Sequence, residues 1–202
     1  SPTVIVADKS LVSLVAHELG HSWSGNLVTF ATDKDAWLNE GTTTYVQGRI
    51  TEALYGKDMA DMENMIDRDA LKDEFKTLDP KLQRLSLKPG DLADPDNSSS
   101  ATVYTKGAWF LQFLEQRFGR EVFDPFLKGY FDHFAFQSIT TRQFRDYLQA
   151  NLIDKHPGTV TMADVDAWLY EAGIPAGAPV GKSGKFRAVD AAGIGSSGSG
   201  EG

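Results

Sequence analysis

The chain has 202 residues, 41% of them hydrophobic, which is enough apolar material for one soluble globular domain of ordinary size. A formal net charge of -8 with singly scattered basic residues excludes a phosphate-tracking surface and hence a nucleic-acid partner, and no run reaches the roughly 18 apolar residues of a membrane span. Cysteine is absent, which excludes disulfides and thiolate metal ligands and fits a cytoplasmic location.

The opening SPTVIVADKS lacks the basic-then-apolar pattern of a secretory leader, and its first residue, Ser1, implies processing or a longer parent. Thr3 to Val6 reads as a short buried strand, because TVIV is β-branched and follows Pro2. Asp8 or Ser10 can cap a helix carrying Leu11, Leu14, Val15, Glu18, Leu19 and Trp23 at spacings of three to four residues. Phe30 to Asp35 reads as a connection, with Asp35 as the cap of a second helix that runs from Ala36 to Tyr55 and closes at Gly56. A third helix is predicted from Lys57 to about Leu78, where Asp79-Pro80 ends it.

Residues 88–100, rich in Pro, Gly, Asp and Ser, form a substantial loop. Core helices follow over Thr102 to Phe118 and Arg120 to His133. Two more are predicted, one in ITTRQFRDYLQANL behind a threonine cap and one capped by Thr161 and stopped by Gly173. From Ala176 the composition turns to Gly, Ala, Ser and Pro, so residues 1–175 form the domain and 176–202 a linker or tag. The fold class is mainly α, with at most a residual edge strand near the N-terminus.

Two of the four histidines fall in HELGHSWSGN, four residues apart around a glutamate. On a helix, positions i and i+4 share a face, so His17 and His21 can aim imidazole nitrogens at one metal ion, for which zinc is well suited. Glu18 lies about 100° round the helix, beside the metal, where its carboxylate can take a proton from water. Chance gives about 0.0035 occurrences of H-E-x-x-H in a chain of this composition, which disfavours histidines placed merely for packing. A catalytic zinc needs a third protein ligand and an open position. Glu40, in WLNEG, is the first glutamate after the motif, with eighteen residues between it and His21, a length that suits a helix, a connection and an antiparallel return. By itself an acid in the first turn of a helix serves the dipole; together with HELGH the ligand reading prevails.

HELGHSWSGNLVT followed by WLNEG resembles the zinc signature of the M1 family of metallopeptidases, the aminopeptidase N and leukotriene A4 hydrolase group of the gluzincin clan. SSSATVYTKGAWFLQFLEQRFG is similar to the family segment whose tyrosine precedes Lys-Gly, and the likeness runs from about Thr3 to Pro179, nearest to the leukotriene A4 hydrolase-like branch. The resemblance implies the helical lobe of a thermolysin-like catalytic domain. It also implies one Zn2+ per chain held by His17, His21 and Glu40, with Glu18 as general base and Tyr104 as donor to the oxyanion. Asn39, Thr42 and Thr43 are candidates for orienting the histidines, and Asp96 is read as a turn residue.

The function implied is zinc-dependent hydrolysis of N-terminal peptide bonds in a peptide with a free amino terminus. The sixteen residues before His17 contain no glutamate, whereas the family anchors the substrate amine through a G-x-M-E-N loop upstream of the motif. The alternatives are therefore an endopeptidase of thermolysin type, or a non-catalytic zinc-binding fragment or interaction module without the anchoring loop. Self-association through apolar surface on the first helix and on TVIV is a further expectation of the fragment reading.

Overall fold

Seven α-helices carry the described part of the computed structural model, which covers residues 12–86 and 100–180. They are α1 (Val12–Gly20), α2 (Trp37–Tyr55), α3 (Lys57–Glu74), α4 (Gly107–Phe118), α5 (Arg120–His133), α6 (Thr141–Leu148) and α7 (Met162–Tyr170). The strand expected at Thr3 to Val6, the caps Asp8 and Ser10, Asp96 and the tail beyond residue 180 lie outside the described residues. None of the described helices is long and apolar enough to cross a membrane.

Local sequence accounts for most boundaries. Gly56 (φ 87°) and Gly119 (φ 76°) join α2 to α3 and α4 to α5 with a backbone that side-chain-bearing residues rarely adopt, so each long helical stretch breaks into two helices there. Thr140 with Gln143, and Thr161 with Asp164, form reciprocal capping boxes at the starts of α6 and α7. The third predicted helix stops at Glu74, short of Leu78, because buried Gln83 folds back and donates its amide to the Phe75 and Leu78 carbonyls. Those carbonyls gain a partner without continuing the helix.

Aromatic side chains from α2, α4, α6 and α7 form the centre of the core. Trp168 is 1% exposed and its ring lies 5.7–6.1 Å from those of Trp109, Phe110 and Phe113. Trp37 meets Phe144 edge-on at 5.2 Å and donates its indole N–H to Thr141 Oγ1 at 2.9 Å. Such ring pairs add about 0.5–1.5 kcal/mol each beyond the area they bury.

Three expectations are corrected. Val28–Phe30 is a strand, β1, within and just before the stretch read as a connection, and it pairs in parallel with β2 (Gln137–Ile139) in the register Val28↔Gln137 to Phe30↔Ile139. Three-residue strands are too short to show alternation, and Asn39 holds β1 in place by accepting from Phe30 N (3.1 Å) and donating to Thr29 Oγ1 (3.1 Å). Asp35 does not cap the helix that follows it. It is buried and accepts the Thr141 N–H at 2.7 Å, so it caps α6 across the core. Ala178 and Pro179, assigned above to the linker, dock onto the domain: Ala178 packs on the core, and the Pro179 carbonyl accepts from Trp109 Nε1 (2.8 Å) and Arg68 (3.0 Å).

Candidate metal centre

The helix bearing HELGH ends sooner than its sequence period suggests, at Gly20, yet His21 N still donates to His17 O at 3.2 Å, so the one-turn spacing of the histidines survives. A Cβ at Gly20 would stand 3.0 Å from Thr43 Cγ2, so the glycine lets α1 lie close against α2. His17 meets Gln47 and His21 meets Thr43, which makes the two helices antiparallel, as the eighteen-residue spacing predicts. Glu40, Thr43 and Gln47 share one face of α2 at i, i+3 and i+7.

On that seam His17 Nε2 lies 3.2 Å and His21 Nε2 3.5 Å from Glu40 Oε2, and the three donor atoms all lie within 4.8 Å of one another. Tetrahedral zinc with bonds of about 2.0–2.1 Å needs donors roughly 3.3 Å apart, so both histidine-carboxylate separations suit the ion. The donor set, two imidazoles and one carboxylate, also fits zinc chemistry. It is the one such cluster of three among the described residues.

Hydrogen bonds behind the rings fix which nitrogen faces inward. His21 Nδ1 lies 2.9 Å from the Ser24 carbonyl, which can only accept, so Nδ1 donates there and Nε2 is the nitrogen that faces Glu40. Thr43 donates to the same carbonyl at 3.2 Å, and Ser24, itself buried, donates to the Leu38 carbonyl at 2.7 Å. His17 Nδ1 is held by Gln47 Oε1 at 3.1 Å. Its hydrogen bond to Glu40 raises the His17 pKa against the lowering effect of burial, and Gln47 and the charge of Glu18 add to the rise. Burial pulls Glu40 upward, but its bond to His17 and the nearby imidazoles outweigh this and lower it.

Tyr104 comes from the other side of the cluster, on a π-helical turn (Thr102–Lys106) that opens α4. Its ring stacks on His17 at 5.8 Å and 23°, and its hydroxyl lies toward Glu40; burial first, then the Glu40 charge, raises its pKa. Glu18 stands on the exposed side of α1, near enough for its charge to act on both His17 and Tyr104. His17, His21, Glu40 and Tyr104 are therefore brought together, with Glu18 beside them.

Of the orienting candidates, Thr43 contacts His21, whereas Asn39 serves β1 and Thr42 is buried. Ser24 and Gln47 were not singled out by sequence. Gln47 was accessible through its i+7 spacing from Glu40; Ser24 acts through its carbonyl, which no residue type signals. The other two histidines pack on aromatic rings, His133 on Tyr147 and His156 on Phe118. Gln47→Ala should weaken zinc binding by about 10–100-fold, the usual effect of removing an orienting partner, and competition with a chromophoric chelator measures it.

A short helix presenting two histidines, laid antiparallel on a longer one that presents a glutamate, is an arrangement of zinc metallopeptidases. The chain belongs to peptidase family M1, whose domain model matches residues 3–168. It is 43% identical over 155 residues to leucine aminopeptidase 2 of Yarrowia lipolytica, covering 73% of this chain and 24% of that protein. The solved structure of native leukotriene A4 hydrolase from Saccharomyces cerevisiae superposes with a TM-score of 0.78 at 36% identity, over 87% of this chain and 28% of that one. An M1 zinc metallopeptidase from Deinococcus radiodurans shares the fold at a TM-score of 0.65 and 21% identity, over 84% and 35% of the two chains. The chain thus spans about a quarter to a third of the length of these relatives.

Proposed function

We propose that the protein to which these residues belong is a zinc-dependent aminopeptidase, and that this chain supplies its metal ligands, general base and oxyanion donor. The observation that carries the reading is the convergence of donor atoms of His17, His21 and Glu40 within 4.8 Å, both Nε2 atoms facing Glu40 Oε2 and Tyr104 stacked on His17. His17, His21 and Glu40 would hold one zinc ion, which when bound supplies the Lewis acidity that acidifies water and polarises a peptide carbonyl. With a single carboxylate ligand, the site keeps net positive charge.

Each protein group then has a defined task. The Glu18 carboxylate takes the proton of the attacking water and passes it to the leaving amine. The Tyr104 hydroxyl donates to the oxygen on which negative charge develops, a contribution of roughly 2.7–4 kcal/mol by comparison with other oxyanion donors. Gln47, Ser24 and Thr43 keep the imidazole lone pairs aimed at one point, so no reorganisation is needed during reaction. The substrate class, a peptide with a free amino terminus, follows the name of the aminopeptidase relative.

The test combines elemental analysis of the chain with hydrolysis of an aminoacyl substrate, free and amino-blocked. One zinc per chain is expected, and in the longer protein that carries these residues, turnover of the free substrate alone and a loss of at least about a hundredfold in Glu18→Gln. Equal cleavage of the blocked substrate turns the assignment to an endopeptidase. Zinc with no turnover, and with a chelator lowering only the melting temperature, turns it to a non-catalytic zinc-binding module.

A further inference from the structure

Away from the histidine cluster, α2, α3 and α4 enclose a cleft of about 370 Å3, with Pro179 and Val180 at one side. Gly48 in its wall is eight residues beyond Glu40, or about 12 Å along α2 at 1.5 Å per residue, so the cleft is separate from the metal centre. The walls carry four cations, Arg49, Lys57, Arg68 and Arg120, and three carboxylates, Glu52, Asp61 and Glu115. Arg49 pairs with Glu115 at 3.1 Å, Lys57 with Asp61 at 3.0 Å, and Arg120 with Glu115 at 2.7 Å and with Glu52.

Arg68 is different. It is 7% exposed, and no carboxylate among the described residues lies within 4.0 Å of its guanidinium. It donates to two neutral oxygens, the Pro179 carbonyl at 3.0 Å and Gln112 Oε1, and rests over the Trp109 ring at 4.6 Å. Burial pushes its pKa down to about 10, against the raising pull of Asp61 and Asp67, so it stays charged at neutral pH. A buried charge without a counter-charge is costly, and the guanidinium keeps further N–H groups to offer. Gln112 passes the polarity on: its Nε2 donates to Asn64 Oδ1 at 3.0 Å, which leaves the Asn64 amide N–H groups to donate. A second donor therefore lines the cleft with Arg68.

We infer that this cleft binds a small monocarboxylate, its anionic head on Arg68 and Asn64 and its short apolar tail against Ala60, Pro179 and Val180. One positive charge with no ion-pair partner among the described residues selects a monoanion over a doubly charged phosphate, and the three apolar residues favour a carboxylate with a tail over a bare halide. The access side of α2 is open at Gly48, where an added Cβ would meet nothing nearer than Gln112 Nε2 at 3.9 Å.

Titrating propionate into the isotopically labelled, metal-free chain, with sodium chloride at matched ionic strength as the second arm, tests this by amide NMR. Saturable shifts of the Gly48 backbone amide and of the Asn64 and Gln112 side-chain amides are expected with propionate. Affinity should fall at least about tenfold in Arg68→Met and in Gly48→Leu, which fills the cleft but leaves Arg68 in place. If Arg68→Met does not fold, Gly48→Leu decides. Equal saturation by chloride, shifts that only follow ionic strength, or undiminished propionate affinity in Gly48→Leu overturns the site.

Discussion

Gly41→Ala is expected to destabilise the domain by about 1–3 kcal/mol or more and to weaken metal binding with it. Gly41 sits where α2 crosses the start of α4. A Cβ there would meet Gly107 Cα at 2.8 Å, the Val103 carbonyl oxygen at 2.9 Å and Gly107 C at 3.0 Å. All three are backbone atoms, so no side chain can rotate out of the way and the helices must separate. The gain of roughly 0.5–1 kcal/mol from replacing glycine within a helix does not offset this. Gly41 follows Glu40, while Val103 and Gly107 flank Tyr104, so separation also draws the carboxylate away from the tyrosine and alters its approach to the histidines. Thermal melting and zinc competition measure the two effects together. Gly48→Ala, two turns further along α2 with nothing nearer than 3.9 Å, should hold or raise stability. A matching loss at both positions would rule out the crossing as the cause.

The unsubstituted chain is expected to gain stability between about pH 7 and pH 10.5, and Lys106→Met to abolish that rise. Lys106 is fully buried, and its Nζ donates to the carbonyls of Gln83 and Glu171, each at 2.8 Å. Burial pushes its pKa down to about 7, with Glu171 opposing and Arg84 assisting. Below that value the amine is protonated in both the native and the unfolded chain, and the full penalty of a buried charge is present. Between pH 7 and 10.5 the unfolded chain holds a proton that the native chain has released, so unfolding becomes harder as pH rises. At 1.36 kcal/mol per unit the change over the window is about 4–5 kcal/mol, an order-of-magnitude figure. Two N–H groups of a neutral amine match two carbonyls, so the deprotonated form loses no partner. Methionine removes the slope but leaves both carbonyls bare, at about 1–3 kcal/mol each, so the variant compares worst with the parent at high pH. Urea unfolding from pH 6 to pH 10 reads this directly, and a slope persisting in Lys106→Met would assign it to another group. Tyr104 lies on the same π-helical turn, so the anchor that titrates here also steadies the tyrosine beside Glu40.

Much of the site was legible in residue spacing because helices translate spacing into geometry. His17 and His21 at i and i+4, and Glu40 at the start of a helix of the right separation, required only the helical period and an antiparallel return. Tyr104 was legible by family likeness alone, because its place near a helix start carries no chemical signal. Its approach to Glu40 depends on the Gly41–Gly107 contact between segments 66 residues apart in sequence. Gln47 shares Glu40's face and could have been read from the same period, whereas Ser24 works through its main-chain carbonyl.

By itself the sequence determined the mainly helical class, most helix boundaries and the candidate metal ligands, because glycines, capping threonines and the 3.6-residue period act over a few residues. Tertiary structure alone decided that Asp35 caps α6 instead of α2, and that β1 and β2 pair across more than a hundred residues. It also decided that Arg68 is buried with no acid among the described residues in ion-pair range, and that Lys106 lies between two distant carbonyls. Each of these depends on which groups compete for one buried partner, and that competition is settled only when segments remote in the chain are packed together.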